Sequence, residues 1–366
     1  MIKLLHGADF HLDSPFEALP MEKAVAQRSA QRELLDELIT LATKSRVDVI
    51  LLAGDILDSE KGYYETGDAI IRAFSKTKTP IFIAPGNHDY YHRRSPWAAL
   101  RLPEHVHVFD KNELEAIEIP GKNLVVWGAA FTQNQSKSLL HDFTPPTQDG
   151  KTHLMVLHGD VSGTEYYNSI NTQELMASGM HYIALGHKHS YSGLQKAGDV
   201  FYAYSGCIAG RGFDEQGACG VVIAEVEHHR VRERFCPLGG RQYHDIRLDI
   251  SGETNIAAAI LNAAPEQPEN CICRITLVGE TEEQVNVKLL SEQLSTQFFH
   301  LELRDYLSPR RDIWARAEED NLRGLFLRKM RHRYENATDE TERRSIVLAV
   351  RHGVRAMEQG EQLGVS

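Results

Sequence analysis

Short groups of aspartate, asparagine and histidine recur between residues 9 and 189, and their side chains are of the types that bind divalent metal ions. Carboxylate and amide oxygens and imidazole nitrogens are the donors that these residues offer. The groups are Asp9-Phe-His11, Gly54-Asp55-Ile-Leu-Asp58, Gly86-Asn87-His88-Asp89, His158-Gly-Asp160 and Gly186-His187-Lys-His189. If they meet in space, they predict a metal site.

Each group follows a largely apolar run that is typical of a buried strand. The runs span residues 2–5, 47–53, 80–84, 152–157 and 182–185. In open α/β architectures, ligands gather at the carboxyl ends of the strands. We therefore expect these strand ends to converge on one place.

The spacing within the groups supports a shared site. Residues two apart in an extended chain point the same way, so Asp9 with His11, and His187 with His189, can each present a pair of ligands. The glycines let the backbone turn sharply and approach an ion without a Cβ atom in the way. A single Gly-Asp or Asn-His-Asp is usually a polar turn, and a single His-x-His is usually a surface or core pair. The repetition of such groups after strands favours function instead.

This set of groups resembles the complete signature of the calcineurin-like metallophosphoesterases, from residue 1 to about residue 238. Within that family, residues 181–189, Tyr204-Ser-Gly-Cys207 and Gly212-Phe-Asp-Glu215 resemble the SbcD and YhaO group of DNA repair exonucleases, which are bacterial relatives of the meiotic recombination nuclease. Residues 5–16 look closer to YhaO than to SbcD. The resemblance implies an α/β fold, a four-layer αββα metallophosphoesterase sandwich, with a small α+β capping domain and a C-terminal helical segment.

The resemblance also implies two divalent ions and their ligands. The first ion is expected to take Asp9, His11, Asp55 and His189. The second is expected to take Asp55, Asn87, His158 and His187, so that Asp55 bridges the pair. Oxygen and imidazole donors without thiolate suit Mn²⁺, Fe or Zn²⁺, and the resemblance favours Mn²⁺. Two ions about 3.5 to 4 Å apart can hold both the attacking and the leaving oxygen of a displacement at phosphorus.

The catalytic and substrate-binding residues follow from the same comparison. His88 resembles the histidine that protonates the leaving oxygen, and Asp58 matches the position that hydrogen-bonds this histidine, although eukaryotic relatives usually have histidine there. Basic and aromatic side chains that could grip phosphates and stack on bases are Tyr90, Arg93, Arg94 and Arg211. The alternative for these last residues is a solvated loop.

Composition limits the class of protein. The chain has 366 residues with 42% hydrophobic content, enough for two or three domains, and a net charge of −11 that argues against broad electrostatic attraction to nucleic acid. Five scattered cysteines argue against a disulfide framework and a structural zinc site, so we interpret them as small core residues. We see neither a signal peptide nor a membrane span, and we expect a cytoplasmic protein.

The pattern changes after residue 240. Alternating apolar residues and two amphipathic stretches predict a βαβαβ module, and the chain from residue 309 looks wholly helical. The expected domains are residues 1–238 (phosphoesterase), 241–308 (capping and DNA contact) and 309–366 (helical). The apolar stripes of the last segment could pack on each other as a hairpin or on a partner. From the family we expect an SbcC-type or SMC-like ABC ATPase as partner, and a homodimer is possible.

These inferences predict a Mn²⁺-dependent DNA nuclease that acts in DNA repair. The family resemblance implies a 3′ to 5′ exonuclease on duplex ends and a single-strand endonuclease. The alternatives are a phosphatase or phosphodiesterase for small-molecule or lipid phosphoesters, and an inactive subunit that supports an ATPase. The sequence does not set the cleavage polarity, the preferred DNA structure or the native metal.

Overall fold

The computed structural model describes residues 1–59, 62–145, 149–161, 166–227, 230–281, 284–309 and 312–363. In these residues the strands are β1 (Ile2–Gly7), β2 (Val49–Leu52), β3 (Ile81–Ile83), β4 (Val106–Val108), β5 (Glu115–Glu118), β6 (Leu124–Gly128), β7 (Thr152–His158), β8 (Asp160–Val161), β9 (Ser169–Ile170), β10 (Tyr182–Gly186), β11 (Gln195–Ala197), β12 (Val200–Tyr204), β13 (Gly220–Glu227), β14 (Arg230–Pro237), β15 (Gln242–Asp249), β16 (Cys271–Thr281) and β17 (His300–Pro309). The helices are α1 (Met21–Ser45), α2 (Tyr64–Phe74), α3 (Pro96–Ala99), α4 (Thr172–Ala177), α5 (Ile256–Ala263), α6 (Val287–Leu294), α7 (Leu322–Glu335) and α8 (Glu340–Leu363).

The chain divides into two compact units. The first consists of residues 1–246, 264–275 and 291–302, and the second of residues 247–263, 276–290 and 303–366. The expected capping module contributes to both units, so its boundaries at residues 241 and 308 stay a prediction.

Two six-stranded sheets form the body of the first unit. The first sheet has the order β14-β13-β1-β2-β3-β4, and β1 to β4 run parallel to one another. The second has the order β11-β12-β10-β7-β6-β5, with β6, β7, β10 and β12 parallel. The other pairings are antiparallel: β13 with β1 and with β14 in the first sheet, and β5 with β6 and β11 with β12 in the second. The parallel strands end at a common edge of each sheet, where the predicted ligands follow.

Alternating side chains of the central strands build three cores. One face of the first sheet packs on α1 and α2 through residues such as Leu5, Ile50, Leu35 and Ile70. The other face packs on the second sheet through Leu4, Val49, Val126 and Val156. The outer face of the second sheet packs on α4 through Met155, Ile183 and Leu175. The layers are therefore helix, sheet, sheet and helix, which confirms the αββα sandwich.

The remaining elements follow the order that the sequence predicts. The strands β15, β16 and β17 form a three-stranded sheet in that order, with α5 and α6 as the connecting helices. Cys271, Cys273, Ile275 and Leu277 of β16 are buried, and so is Ile272 at the start of the strand. The cysteines are free thiols, and Cys207 and Cys236 are buried as well, whereas Cys219 is half-buried.

The helices α7 and α8 pack on each other. Their shared core contains Leu327 and Val350, with Phe326, Met330 and Val354 against it. The backbone N–H of Glu342 donates to Oδ1 of Asp339 at 2.7 Å, which caps the start of α8. A salt bridge of 2.8 Å joins Arg351 of α8 to Glu280 of β16 within the second unit. Much of the apolar stripe on each helix is thus covered by the other, as in the hairpin alternative.

Among the described residues, no helix combines the length and the apolar composition that crossing a membrane requires.

Candidate metal centre

The loops that follow β1 and β2 run side by side over the sheet edge. The N–H of Asp9 donates to the carbonyl of Gly54 at 3.0 Å, and that of His11 donates to the carbonyl of Asp55 at 2.9 Å. These bonds continue the strand pairing beyond the sheet, down to a bridge between Leu12 and Leu57. The first two ligand groups are therefore held in a fixed register.

Several predicted ligands have left-handed backbone conformations. The φ angles are 53° for Asp9, 47° for His11, 50° for Asp55 and 104° for His187. Non-glycine residues rarely adopt such angles and persist there when surrounding structure imposes them, often at functional sites. The Asp9 and His11 side chains are therefore presented by a turned backbone, which differs from the extended chain expected from the sequence.

Asp89 fastens the loop after β3 to the loop after β2. Its carboxylate accepts hydrogen bonds from the backbone N–H groups of Gly86 (2.7 Å), Asp55 (3.1 Å), Ile56 (2.9 Å) and Leu57 (3.2 Å). The close approach needs glycine at position 86, because a Cβ there would overlap with the Asp55 carboxylate. Burial raises the pKa of Asp89 to about 7, and the N–H donors act in the opposite direction.

One group of ligands forms where the loops after β1 and β10 meet. Asp9, His11 and His189 each offer a donor atom within 4.8 Å of the other two. The Nε2 atoms of His11 and His189 face each other at 3.2 Å. In the tautomers that leave both Nε2 atoms unprotonated, the two nitrogens repel each other at this distance, and a cation between them removes that repulsion. Three of the four donors expected for the first ion thus lie together, and their role as ligands stays a prediction.

Asp55 belongs to a second group of ligands. Asp9, Asp55 and His158 have donor atoms within 4.8 Å of one another, and Oδ1 of Asn87 is 2.9 Å from Nε2 of His158. Oδ2 of Asp55 is 3.8 Å from Nε2 of His11 and 3.4 Å from Nε2 of His158. That oxygen is thus close to one histidine of each group, and its role as a bridging ligand stays a prediction.

His187 lies next to the second group without being one of its members. Its ring stands edge-on to that of His158, with the centroids 5.3 Å apart, and tilts against Tyr167 at 5.2 Å. Its backbone N–H donates to both carboxylate oxygens of Asp9. Its role as a ligand of the second metal stays a prediction.

Burial acts on the pKa values of two histidines and two aspartates of the site. It lowers the pKa of His158 to about 4 and also lowers that of His11, so their ring nitrogens can serve as ligands at neutral pH. Burial and then the nearby Asp55 charge raise the pKa of Asp9 well above its usual range. Burial alone would raise the pKa of Asp55 too, but the histidines around it lower it. Buried carboxylates beside neutral imidazoles fit a divalent cation.

His88 stands at the exposed rim of this centre. Its ring Nδ1 is 2.9 Å from the backbone carbonyl of Asp58, and its backbone N–H donates to Oδ1 of Asp55 at 2.9 Å. The Asp58 carboxylate instead contacts Nδ1 of His11 at 3.1 Å. The structure thus places Asp58 beside His88 as expected, but through its carbonyl oxygen rather than its side chain.

A cleft of about 370 Å³ opens beside His88. Its described lining consists of Asp58, Ser59, Asn87, His88, Tyr90, Asn134, Gln135 and Tyr167. Of the expected substrate contacts, only Tyr90 is in this lining. Arg93 and Arg94 are exposed on the loop that follows. Their part in substrate binding stays a prediction.

Arg211 lies on the inner side of the site, against carboxylates. Its guanidinium donates to Oε1 of Glu215 at 2.8 Å and to Oδ1 of Asp58 at 3.2 Å. Oε1 of Glu215 is in turn 2.6 Å from Nδ1 of His189.

Three residues that support the site have no role in the sequence-based predictions. These are Asp89, Glu215 and Asn168. The buried Asn168 donates through Nδ2 to the carbonyl of His158 at 2.9 Å and accepts from the N–H of Leu139 at 2.8 Å. Asp89 and Glu215 stand in quoted motifs, whereas no sequence signal singles out Asn168.

A family model described as calcineurin-like phosphoesterase matches residues 2–191. This stretch is more than half of the 366 residues, and the chain therefore belongs to the calcineurin-like phosphoesterases. Members of this family bind divalent metals, for which the Asp and His groups above have suitable donors.

Individual relatives agree with the motif-based resemblance. The chain is similar to the uncharacterized metallophosphoesterase YhaO of Bacillus subtilis (strain 168), 26% identical over 272 residues that cover 70% of this chain and 65% of YhaO. It is 25% identical over 259 residues to the SbcD component of the nuclease SbcCD from the same strain, covering 59% of this chain and 64% of that protein. It is also 26% identical over 207 residues to the DNA double-strand break repair protein Mre11 of Saccharolobus solfataricus, covering 52% and 50%. The chain spans about half to two thirds of the length of these curated relatives.

Proposed function

We propose that this protein is a Mn²⁺-dependent DNA nuclease that hydrolyses phosphodiesters with two metal ions. The observation that carries the proposal is the position of Asp55, whose Oδ2 lies 3.8 Å from His11 Nε2 and 3.4 Å from His158 Nε2. A carboxylate oxygen near one histidine of each ligand group can bind two closely spaced ions. The names of two relatives, a nuclease component and a DNA break repair protein, support DNA as the substrate.

The side chains of the centre have distinct tasks in this proposal. Bound divalent ions would supply positive charge to the phosphoryl oxygens and activate water as the nucleophile. His88 protonates the leaving oxygen through Nε2, because the Asp58 carbonyl occupies Nδ1. The ligands would be Asp9, His11, Asp55 and His189 for one ion, and Asp55, Asn87, His158 and His187 for the other. Tyr90, Arg93 and Arg94 would contact the DNA.

A second candidate is a phosphodiesterase or phosphatase for small-molecule or lipid phosphoesters. A cleft of about 370 Å³ has room for a small ester, and the first relative is named only as a metallophosphoesterase. The metal centre itself does not choose between leaving groups.

Cleavage assays with purified protein separate the candidates. We expect Mn²⁺-dependent degradation of linear duplex DNA and linearisation of single-stranded circles. Hydrolysis of bis-p-nitrophenyl phosphate is the control for the metal chemistry. Turnover of the small diester without DNA cleavage would support the second candidate. End-labelled duplexes test the proposed 3′ to 5′ polarity, because only digestion from the 3′ end shortens a 5′-labelled strand progressively.

We also propose that the chain works in DNA repair with an SMC-like ABC ATPase, which α7 and α8 would contact. The support is the name of the SbcCD relative, which is itself one component of a larger nuclease. A homodimer and a cytoplasmic location stay predictions.

A further inference from the structure

The two histidines that face each other in the first ligand group are each held from behind by a carboxylate. Nδ1 of His11 is 3.1 Å from Oδ1 of Asp58, and Nδ1 of His189 is 2.6 Å from Oε1 of Glu215. A carboxylate on Nδ1 fixes the plane of the ring and selects the tautomer whose Nε2 lone pair is available to a metal. His189 therefore has the hydrogen-bonded carboxylate that metal-binding histidines usually have, whereas His11 has a carboxylate at ion-pair distance without an aligned hydrogen bond.

One guanidinium joins the two carboxylates. Nη1 of Arg211 is 3.2 Å from Oδ1 of Asp58, and Nη2 is 2.8 Å from Oε1 of Glu215. The Nε–H donates to the same Glu215 oxygen at 3.2 Å, and the backbone N–H donates to Oε2 at 2.9 Å. The contacts form a ring of five side chains, which closes at the two Nε2 atoms 3.2 Å apart. In order around the ring, these are His11, Asp58, Arg211, Glu215 and His189.

Because Asp58 and Glu215 are both negatively charged and mostly buried, their arrangement depends on the guanidinium of Arg211. The Glu215 side chain is 8% exposed, and those of Arg211 and Asp58 are 23% and 20% exposed. A planar guanidinium can engage two carboxylates at fixed angles, whereas a lysine ammonium is a point charge on a flexible stem. Removing the guanidinium would leave two carboxylates that no longer share a cation.

We propose that Arg211 is a positioning residue that braces the first metal site by holding Asp58 and Glu215 against His11 and His189. This inference rests on the proposed two-metal function. It replaces the substrate contact that the sequence suggested for Arg211, because the carboxylates engage Nε, Nη1 and Nη2. The brace acts on one ion and leaves the site around His158 unchanged.

Mn²⁺ titration calorimetry on metal-free full-length protein tests the brace. The parent should bind two ions. Arg211→Gln should bind one ion with roughly 10- to 100-fold lower affinity and the other with unchanged affinity, the usual range for loss of support behind a metal ligand. Arg211→Lys should lie between the two, and Arg72→Gln, which changes an exposed arginine of α2, should match the parent. A melting temperature for each variant checks the fold, and Arg211→Lys decides the matter if Arg211→Gln does not fold.

Kinetics distinguish the brace from a substrate contact. A brace raises the Mn²⁺ concentration needed for half-maximal activity and leaves KM for bis-p-nitrophenyl phosphate near the parent value once Mn²⁺ saturates. A phosphate contact raises KM at every Mn²⁺ concentration with unchanged Mn²⁺ affinity, and that result would overturn the proposal. A parent that binds fewer than two ions would overturn the two-metal function and the brace with it. Unchanged affinities in the variants of a two-ion parent would overturn the brace alone.

Discussion

His88 and His158 have the same side chain and opposite surroundings. His158 is buried, with Nδ1 2.9 Å from the carbonyl of Ala53 and a pKa lowered by burial to about 4. His88 is exposed at the rim of the cleft and belongs to its lining. A buried neutral imidazole suits a metal ligand, whereas a proton donor needs access to substrate and solvent. Position in the site, rather than residue type, separates the ligand from the proposed acid.

Replacing His88 tests the acid role. We expect His88→Ala to keep both ions and to lower the cleavage rate by about two to four orders of magnitude, the usual contribution of a positioned general acid. Metal analysis of the purified variant and single-turnover rates measure the two effects. His141→Ala, a change at a 75% exposed histidine, should leave both unchanged. A His88→Ala protein without metal would show that His88 is a ligand.

Replacing Asp55 should affect metal binding, unlike the replacement of His88. Because its Oδ2 is close to both His11 and His158, we expect Asp55→Ala to lose both ions and to cleave at background rate. Metal content by mass spectrometry is the measurement, with the exposed Asp68→Ala as a matched control. Retention of two ions would contradict the assignment of Asp55 as the bridge.

At the scale of elements, Asp89 links two loops that leave neighbouring parallel strands. Its carboxylate accepts hydrogen bonds from backbone N–H groups of both loops, so the position of Asp55 depends on a residue 34 positions away. These N–H groups have no strand partner at that point, and burial makes an unpaired one costly. Asp89 therefore supports the site through the backbone.

We expect Asp89→Asn to destabilise the fold by about 3 kcal/mol. The amide nitrogen of asparagine cannot accept a hydrogen bond, so the backbone N–H groups that donate to one carboxylate oxygen of Asp89 would lose their acceptor. Urea unfolding of metal-free protein gives the change in the free energy of unfolding. The exposed Asp142→Asn is the control and should change it little. Equal stabilities of Asp89→Asn and the parent would mean that Asp89 does not hold the loops together.

The C-terminal helices expose only part of their apolar surface. Leu322 and Leu348 are 72% and 57% exposed, whereas Val350 is 1% exposed in the core shared by α7 and α8. If the helices dock an ATPase, the exposed leucines are the side chains available for contact, because the buried stripe is already covered.

Substituting glutamate for these leucines tests the docking proposal. Leu322→Glu with Leu348→Glu should weaken binding to the purified ATPase at least about tenfold, since an apolar anchor buried at an interface contributes more than about 1 kcal/mol. The melting temperature should stay near that of the parent. Val350→Glu, the buried comparison, should lower it instead. Full ATPase binding by the folded double variant in a pull-down would contradict docking through this surface.

At the scale of the whole molecule, the net charge of −11 opposes contact with a polyanion. Affinity for DNA that comes from lysine and arginine falls with salt in proportion to the phosphates neutralised. Metal ions can supply positive charge locally without changing this long-range balance. The isolated chain should therefore bind DNA through few phosphate contacts.

We expect a shallow salt dependence of duplex binding. With about three neutralised phosphates, the slope of log affinity against log salt would be about −3, because each contributes about 0.9. Fluorescence anisotropy between low and moderate salt, with Ca²⁺ in place of Mn²⁺ to limit cleavage, measures it. A slope of about −6 or steeper would reveal a strongly basic channel on this chain.

Much of the fold could be predicted from the sequence because its signals are local. The aliphatic runs of β2 and β10 predict strands buried on both faces, and every residue of each is buried. The order of the ligand groups after such strands predicts their convergence, since parallel strands end at the same edge. The division into two units was harder to predict from the sequence, because β15, β16 and β17 each contribute residues to both units.

The sequence by itself determined the donor types of Asp9, His11, Asp55, His158 and His189 and the order in which strands present them, because both properties lie in short segments. Only the tertiary structure decided which atoms face one another. Arg211 reaches Asp58 across 153 positions and Glu215 meets His189 across 26, while the carbonyl rather than the carboxylate of Asp58 meets His88. Contacts of this kind depend on backbone turns such as the left-handed His11, and no residue pattern along the chain specifies them.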